Sequence, residues 1–523
     1  MTASTPRAYD LIGFGDEVPG VLALVTAARE HRRRLGKPLR TLLMFKGDSR
    51  QGVGGHLVRG GLAYLDRSNV PPDIRRSLNL PTFGEPAAIY TEFLQRAGVT
   101  QIALDRQKAD KALRQMLSEA GVDMISSVAI AGVQKTGSRL TGIQTARGET
   151  YTARQFIDST VNAELAQAAG VPKLKGFETF GLPESELPVT LVFETEGLSI
   201  QRLRDVELAY LRRFANRNDT EAQRFISLAA GGDPALIEHF RQTIVDAQGN
   251  LRTMHVGSDH IDVRSRALSI AYHAFRGTKL FLNESGAILD CGNIAVLPNG
   301  RLSWNALLCQ VTGSQAEALA RASAKPTAAM LQEMGFIDRF FKSLGAKIAR
   351  PMIELYIRHA GNVTGTVEPL SGADMLLGGV ASSEALGTFG YHLDVRGGIP
   401  GLGAKAAALG ISSVSFHHPP LFNIGIRHAQ ISLVPNLAVV SPASGFDGYA
   451  CSAGRIVEFN CGVGQGLGIA ASLAIASNRL LADVSNREVR QILAQTGRLP
   501  RIYGTSYALE AARLEEFERI VVA

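Results

Sequence analysis

Residues 9–20 read YDLIGFGDEVPG, an apolar run that enters a glycine turn before the apolar helical pattern that starts at Val21. A buried strand followed by a glycine turn and a helix is typical of the first half of a βαβ unit. The first backbone N–H groups of such a helix have no intrahelical partner, so they can face an anion. The stretch therefore predicts a parallel sheet whose first loop belongs to a nucleotide site.

The next apolar run, LRTLLMF at residues 39–45, completes this unit. Its composition is typical of a strand buried on both faces, and Gly36 and Pro38 end the helix that precedes it. A glycine-rich loop follows and reads KGDSRQGVGGHLVRGG over residues 46–61. Two buried strands joined by one helix predict a parallel pair.

A second glycine-rich segment lies near the other end of the chain, where residues 461–471 read CGVGQGLGIAA. An interior glycine costs a helix up to about 1 kcal/mol relative to alanine, so several of them require a structural reason. One reason is close approach of the backbone to a ligand, and the other is a tight contact between two helices. Two glycine turns far apart in the sequence favour one large cofactor held from both sides, and flavin adenine dinucleotide (FAD) fits that size.

Composition narrows the class of protein. The length, 523 residues, exceeds that of a typical single domain, so we expect two or three lobes. The net charge of +7 is spread along the chain, and no basic face with interleaved aromatic residues appears, so no nucleic-acid partner is expected. The four cysteines show no C-x-x-C spacing, which predicts neither a metal site nor a disulfide framework and favours a reducing compartment.

We expect no secretory signal in this sequence. Residues 1–7 lack the apolar segment of a secretory signal, and we expect no uninterrupted apolar run that is long enough to cross a bilayer. These patterns predict a cytoplasmic protein without an integral membrane segment, and a homo-oligomer remains possible.

The chain divides into a discontinuous cofactor lobe and an inserted block. Residues 1–175 and 435–500 carry the glycine-rich segments and the buried strands. Residues 176–434 change in pattern, lack a nucleotide signal and contain most of the clustered histidines. We expect an α/β fold with a doubly wound parallel sheet and an inserted α+β substrate lobe, followed by a C-terminal tail over residues 501–523.

The order of these motifs resembles that of the FAD-dependent oxidoreductases of the glutathione-reductase-like superfamily. The similarity is to FAD-binding proteins with an inserted substrate domain, distantly similar to fumarate reductase flavoproteins. It spans nearly the whole chain and depends on the order of four segments, residues 13–20, 46–61, 153–160 and 436–468. The resemblance implies a Rossmann-like FAD-binding lobe, FAD as the cofactor and an oxidoreductase activity.

The resemblance also implies which residues contact FAD, His56 among them in a non-covalent contact beside the flavin. They belong to the first glycine turn, the loop after the second strand, a small antiparallel meander expected over residues 127–154, the end of the next parallel strand and the C-terminal helix: Gly13, Gly15, Gly20, Asp48, Gly54, Gly55, His56, Val128, Ser159, Thr160, Gly464, Gln465, Gly466 and Leu467. The C-terminal helix is expected to begin at its glycines, where its positive end would stabilise reduced flavin.

Three departures from the family pattern affect the adenosine half of the expected site. Gly20 stands two residues later than the third glycine of the G-x-G-x-x-G pattern. Phe45 replaces the acidic residue that usually binds the adenosine ribose. Val161 replaces the glycine of the family's Ala-Thr-Gly strand end. We therefore expect FAD in an altered adenine pocket, and a descendant that has lost the flavin is the alternative.

Histidines of the inserted block are the candidate general bases. His417 and His418 precede two prolines, and His392 is a similar candidate, although each is also explained as a hydrogen-bonded loop residue. Histidine suits this role because its pKa lies near neutrality. Arg358 could clamp a substrate carboxylate.

The predicted activity is oxidation of a small organic substrate by hydride transfer to flavin N5. Electrons would then leave to oxygen, a quinone or a carrier, which the sequence does not distinguish. The alternatives are a flavin-dependent reductase or isomerase that acts on a double bond, and a non-catalytic protein without flavin.

Overall fold

The computed structural model describes residues 6–395, 398–412 and 414–522. The first five residues of the predicted cofactor lobe and the last residue of the predicted tail lie outside the described residues.

The strands are short, with the longest in the middle of the chain. They are β1 (Arg7–Ala8), β2 (Leu11–Phe14), β3 (Thr41–Met44), β4 (Val122–Ile125), β5 (Ile130–Thr136), β6 (Arg139–Thr145), β7 (Thr150–Thr152), β8 (Gln155–Asp158), β9 (Val189–Glu196), β10 (His255–Val256), β11 (His260–Asp262), β12 (Ala287–Leu297), β13 (Arg301–Cys309), β14 (Ile348–Pro351), β15 (Leu370–Ser371), β16 (Thr388–Gly390), β17 (Leu421–Asn423), β18 (Leu437–Val439) and β19 (Phe446–Asp447).

The helices range from single turns to long core helices. They are α1 (Val18–Leu35), α2 (Gly55–Val58), α3 (Pro72–Ser77), α4 (Ala88–Arg96), α5 (Arg106–Ala120), α6 (Glu164–Ala168), α7 (Ile200–Ala215), α8 (Thr220–Ala229), α9 (Pro234–Gln242), α10 (Ala267–Arg276), α11 (Leu282–Ser285), α12 (Gly313–Arg321), α13 (Ala328–Leu344), α14 (Gly372–Leu376), α15 (Leu402–Ala408), α16 (Cys451–Gly454), α17 (Val457–Ala476), α18 (Asn486–Gln495) and α19 (Ala508–Val522). Short 3-10 turns lie at Ser49–Gln51, Glu178–Phe180, Pro298–Gly300, Gly448–Ala450 and Leu481–Asp483.

The predicted parallel sheet consists of five strands in the order β18-β8-β2-β3-β4. All four strand pairs are parallel, and β8 pairs with β18, which joins the two ends of the chain in one sheet. The strand order changes direction at β2, because the next strand in sequence, β3, lies on one side of it and β8 lies on the other. Ligands of open α/β sheets bind at such a switch point, outside the carboxyl ends of the strands.

Different elements pack on the two faces of this sheet. On one face, Leu11 and Leu43 belong to the core that contains α1 and α17. On the other, Ile12 and Leu42 pack with the sheet formed by β1, β7, β6 and β5. Neighbouring residues of a strand point to opposite faces, so the continuous apolar runs serve both cores. The expected doubly wound arrangement, with helices on both faces, is therefore corrected: a small sheet covers the second face.

The long helices α1 and α17 contact each other through glycines. A Cβ atom on Gly464 would lie 2.4 Å from the carbonyl oxygen of Pro19, and one on Gly468 would lie 2.4 Å from that of Ala23. The two backbones are therefore too close for any larger residue at these positions. Of the two reasons for glycines in this segment, the tight helix contact is the correct one here.

Helix α17 is, among the described residues, the one helix long and apolar enough to cross a membrane, with a hydropathy of 1.3. In its most apolar 18-residue window, 94% of the residues are buried inside the fold, which is also typical of a core helix, so α17 is weak evidence for a membrane span.

A second sheet has six strands in the order β10-β11-β12-β13-β9-β14, and all of its pairs are antiparallel. Its strands come from the part of the chain between β8 and β18. Its core contains Trp304, whose ring stacks on Phe193 at 5.8 Å and meets Phe341 edge-on at 4.6 Å. Later residues of the predicted inserted block, including Met375 and Phe422, join the core of α1 and α17 instead.

Candidate functional site

A cavity of about 70 Å³ opens where β2, β3 and β8 end. Its walls come from the turn after β2, the loops after β3 and β8, helix α2 and the segment that follows β14. The lining residues with polar side chains include Asp16, Glu17, Lys46, His56, Arg59, Ser159, Thr160, Glu164 and Glu354. The cavity thus lies at the switch point of the parallel sheet, where a ligand is expected.

Two glycines allow the loop after β8 to close on the turn after β2. Gly15 has a φ of 99°, and a Cβ atom there would lie 2.5 Å from the backbone of Ser159. A Cβ atom on Gly20 would collide with the side chain of Ser159. The hydroxyl of Ser159 donates a hydrogen bond of 2.7 Å to the carbonyl oxygen of Gly15. Gly13 has a different role, because a Cβ atom there would meet Leu24 of α1 at 2.6 Å.

Arg59 joins two buried carboxylates at the floor of the cavity. Its terminal nitrogens pair with Asp16 at 2.5 and 2.8 Å, and its Nε donates to Glu354 at 2.7 Å. Asp16 also accepts hydrogen bonds from the amides of Gly54 and Gly55. Burial alone would raise the pKa of Asp16, but the charge and hydrogen bonds of Arg59 lower it overall. Asp16 therefore stays ionised as the centre of this network.

Glu354 responds differently from Asp16. Burial raises its pKa to about 7, and this effect outweighs the charge and hydrogen bond of Arg59. Asp16 already takes two of the nitrogens of Arg59, and its negative charge also raises the pKa of Glu354. Glu354 is therefore a carboxyl group that titrates near neutral pH beside the cavity.

His56 and Glu17 form a second pair at the wall of the cavity. Nδ1 of His56 is in close contact with Oε2 of Glu17, although the two atoms are not aligned as a hydrogen bond. The imidazole stacks on the ring of Tyr356, with centroids 4.9 Å apart and planes 20° apart. Its Nε2 is buried and finds no hydrogen-bond partner among the described residues. A Cβ atom on Gly55 would collide with Glu17, so this pair requires glycine there.

Two further carboxylates hold the loop after β8. Lys46 pairs with Glu164 at 2.8 Å and donates to the carbonyl oxygen of Arg321 at 2.6 Å. Asp158 accepts hydrogen bonds from the amide and the hydroxyl of Thr160. Burial raises the pKa of Asp158 to about 6, against the effect of these hydrogen bonds. These contacts fix the positions of Ser159 and Thr160 on the cavity wall.

Several residues predicted to contact FAD lie elsewhere. Asp48 is paired with Arg50 at an exposed turn. Val128 is buried in the core between the two sheets, with its amide bonded to the carbonyl oxygen of Phe45. Gly54 contributes its amide to Asp16 instead of lining the cavity.

The predicted role of the C-terminal glycines is corrected. Helix α17 begins at Val457, so Gly464, Gln465, Gly466 and Leu467 lie in its interior instead of at its positive end. Gln465 accepts a hydrogen bond from the amide of Ile89, and a Cβ atom on Gly466 would meet Ile426 and Leu386. These residues therefore pack α17 against neighbouring elements. None of the four lines the cavity.

The structure does not bring the predicted catalytic residues to the cavity. His418 is 56% exposed, pairs with Glu510 at 2.6 Å and stacks on Tyr507. His417 donates its backbone amide to the same carboxylate. These two histidines hold a loop against α19, and they do not line the cavity.

Two other predicted catalytic residues are also held in structural contacts. His392 is exposed and lies 2.9 Å from the side-chain nitrogen of Asn69. Arg358 is buried, donates to Thr190 at 2.7 Å and lies over the ring of Tyr356 at 4.1 Å. Arg358 therefore supports the ring on which His56 stacks, but it does not reach the cavity wall.

Sequence reasoning missed Asp16, Glu17, Arg59, Glu354 and Tyr356. The signal for the first two was present, because they are the two residues that lengthen the glycine turn. Nothing local marks Arg59 or Glu354, which are 295 positions apart and meet only in the fold.

Comparison with known proteins gives one family match and several similarities to solved structures. A family model described as FAD dependent oxidoreductase matches residues 14–493. No protein of curated function matches the sequence.

Three of the similar solved structures have low sequence identity to this chain. A geranylgeranyl bacteriochlorophyll reductase-like protein from Thermoplasma acidophilum is 12% identical, with 99% of this chain and 89% of that chain covered and a TM-score of 0.34. The flavin-dependent brominase Bmp2 is 11% identical, with 99% and 94% covered and a TM-score of 0.37. A mutant of the halogenase PltM in complex with FAD is 14% identical, with 94% and 73% covered and a TM-score of 0.36.

Proposed function

Because the chain belongs to the FAD-dependent oxidoreductase family, with FAD as its cofactor, we propose that it oxidises a small organic substrate with His56 as the general base. The observation that carries this proposal is the pair of His56 and Glu17 on the cavity wall. Nδ1 of His56 faces the carboxylate, so Nε2 is the ring atom that is left for a substrate. A histidine oriented by a carboxylate is a common arrangement for a general base.

At the end of the cavity that contains His56, the lining residues are compatible with bound FAD. The buried Nε2 has no partner among the described residues, and the N-terminus of α1 presents the positive end of its dipole to the same space. Asp16, the first of the two acidic residues before this helix, is neutralised by Arg59. It therefore adds little net negative charge where a diphosphate would lie.

The adenosine end fits less closely. Phe45 is buried and lies under the guanidinium of Arg59 at 5.5 Å, where an acidic residue would otherwise meet a ribose. At about 70 Å³ the cavity is also smaller than the cofactor, so the lining residues must separate when FAD binds. Lys46, Arg59 and the N-terminus of α1 are the groups that would hold the diphosphate.

FAD supplies the hydride acceptor when it is bound. In the proposed reaction, Nε2 of His56 takes the proton of a substrate hydroxyl or amine as hydride leaves the adjacent carbon. Glu17 stabilises the positive charge that the imidazole acquires, and Tyr356 keeps the ring in its plane. The burial of this pair keeps water from the base.

The test begins with a visible absorption spectrum of the purified protein, before and after incubation with FAD. The bound flavin should be yellow. It should bleach without oxygen when one of a panel of alcohols, amines or 2-hydroxy acids is added. A protein that stays colourless after incubation with FAD would contradict the proposal and favour a descendant that has lost the flavin.

The same experiment separates the reductase or isomerase alternative. Under that alternative, the flavin keeps its colour with every donor of the panel. After chemical reduction it is reoxidised without oxygen by a conjugated enone. Those two results together would contradict the proposed oxidation. They would support a reaction on a double bond instead.

A further inference from the structure

The hairpin of β10 and β11 places three metal-binding side chains on one face. The strands are antiparallel, and His255 lies directly opposite Asp262. His260 is two positions before Asp262 on the same strand, so both side chains point to the same side. Side chains directly opposite on antiparallel strands are close neighbours. Ligand atoms of His255, His260 and Asp262 all lie within 4.8 Å of one another.

His260 is oriented by a neighbouring carboxylate. Its Nδ1 lies 3.1 Å from Asp259, which leaves Nε2 for a ligand. Asp259 is itself held, because it accepts hydrogen bonds from the hydroxyl of Thr100 at 3.0 Å and from the amides of Gln101 and Ala103 at 3.1 Å. A metal-binding histidine commonly has its second ring nitrogen on a carboxylate in this way.

Asp262 is oriented by a tyrosine from the segment after α2. The hydroxyl of Tyr64 donates a hydrogen bond of 2.7 Å to Oδ1 of Asp262, and its ring meets that of His260 edge-on at 5.8 Å. Gly257 leaves room for the imidazole of His260, because a Cβ atom there would lie 2.3 Å from the ring. Two of the three ligands are therefore positioned by contacts outside the ligand set.

We propose that His255, His260 and Asp262 bind a divalent transition-metal ion, with Zn²⁺ as the reference occupant. Two imidazoles and one carboxylate suit zinc and its neighbours better than Mg²⁺ or Ca²⁺, which prefer oxygen ligands alone. Three protein ligands leave a coordination position for water. This site shares no residue with the wall of the cavity, so it does not depend on the proposed oxidation.

The metal would stabilise the contacts of the β10–β11 hairpin with two other segments of the chain. Asp262 is bonded to Tyr64, and Asp259 is bonded to the segment around residues 100–103. Both partners lie outside the six-stranded sheet, whose outermost strand on this side is β10. A metal on the hairpin would fix this edge strand and, through Asp262 and His260, its contacts with those segments.

The test uses the full-length protein with FAD bound, stripped of metal with EDTA and then titrated with Zn²⁺ in a calorimeter. One equivalent per chain should bind, and the thermal midpoint should rise in saturating Zn²⁺. His255→Ala should weaken binding at least about tenfold. Because His255 is exposed, the metal-free variant should keep the thermal midpoint of the metal-free wild type.

Two further variants make the result specific. Asp262→Asn keeps the shape and the acceptor of the Tyr64 hydrogen bond but removes the charge, so it should also weaken Zn²⁺ binding. His239→Ala removes an exposed histidine outside the cluster and should leave binding unchanged. The proposal is overturned if wild type binds no stoichiometric Zn²⁺, or if His255→Ala binds it as tightly as His239→Ala does.

Discussion

Asp16 and Glu17 are neighbours in the sequence, yet they hold different partners. Asp16 binds a permanently charged guanidinium and two backbone amides, so it serves as a fixed structural anion. Glu17 faces an imidazole, whose charge depends on its protonation. The pair thus supplies one structural carboxylate and one that faces the proposed base.

Removing the base or its carboxylate should affect reduction of the flavin more than its binding. His56→Gln should slow anaerobic substrate-driven reduction by about 100-fold or more, because general base catalysis contributes about that factor. Glu17→Gln should slow it by a smaller factor. Stopped-flow absorbance measures both rates. Glu516→Gln, an exposed site on α19, is the control, and equal rates for all three variants would exclude the proposed role of His56.

Glu354 makes the stability of the protein depend on pH. Burial raises its pKa from the ordinary value of 4.5 to about 7, so the folded state binds this proton more tightly than the unfolded chain does. Its stabilising contribution is complete below pH 4.5 and is lost as the pH rises through 7.

Glu354→Gln should remove this dependence. The quantity to compare is the difference in the free energy of unfolding, wild type minus variant. This difference should fall by up to about 3 kcal/mol between about pH 4.5 and about pH 8. Urea unfolding of both proteins across that range gives the difference. A difference that stays constant with pH would show that folding does not raise the pKa of Glu354.

Helices α1 and α17 show how tertiary contact changes the meaning of a sequence pattern. Glycine lowers helix propensity, yet α17 keeps glycines where its backbone contacts α1. In α13, by contrast, Gly335 lies inside the helix without a close contact. That helix continues to Leu344 and ends before Gly345, whose φ is 112°.

Alanine at two helical glycines should have opposite effects. Gly464→Ala should destabilise the protein by about 1–3 kcal/mol, because the new Cβ atom would press on the backbone of Pro19. Gly335→Ala should stabilise it by up to about 1 kcal/mol, because its Cβ atom would meet nothing within 4 Å. Chemical denaturation measures both, and stabilisation by Gly464→Ala would contradict the close contact of α1 and α17.

The molecule as a whole joins distant parts of the chain at one crevice. The loops after β2, β3 and β8 meet the segment after β14 there, and Lys46 reaches the last residue of α12. A ligand bound in this crevice therefore contacts both the parallel-sheet core and the segment that leaves the six-stranded sheet. Its binding energy should add to the stability of the whole fold.

FAD should raise the thermal midpoint of the protein in a saturable way. At a free concentration of 100 times its Kd, one bound ligand stabilises a fold by about 2.7 kcal/mol. FMN, which lacks the second phosphate and the adenosine, should have a smaller effect at equal concentration. Differential scanning calorimetry with each flavin measures the shifts. Equal shifts would show that the adenosine half contributes nothing, as the replacement at Phe45 allows.

Local pattern is enough to specify the central frame of this protein. The apolar runs at β2, β3 and β8 and the glycine turn between β2 and α1 predict a parallel sheet, because periodicity and turn chemistry act between near neighbours. Four predicted residues, Gly15, His56, Ser159 and Thr160, do line the cavity. Their position follows from the carboxyl ends of strands that the pattern already identifies.

The chemistry of the cavity depends on contacts that no local pattern contains. Arg59 and Glu354 meet across 295 positions, and Tyr356 stacks on His56 across a similar separation. The same holds for the glycines of α17, whose role is set by the helix beside them. Side-chain packing and burial decide which titratable groups face one another. These are properties of the folded chain, and the spacing of residues along it does not encode them.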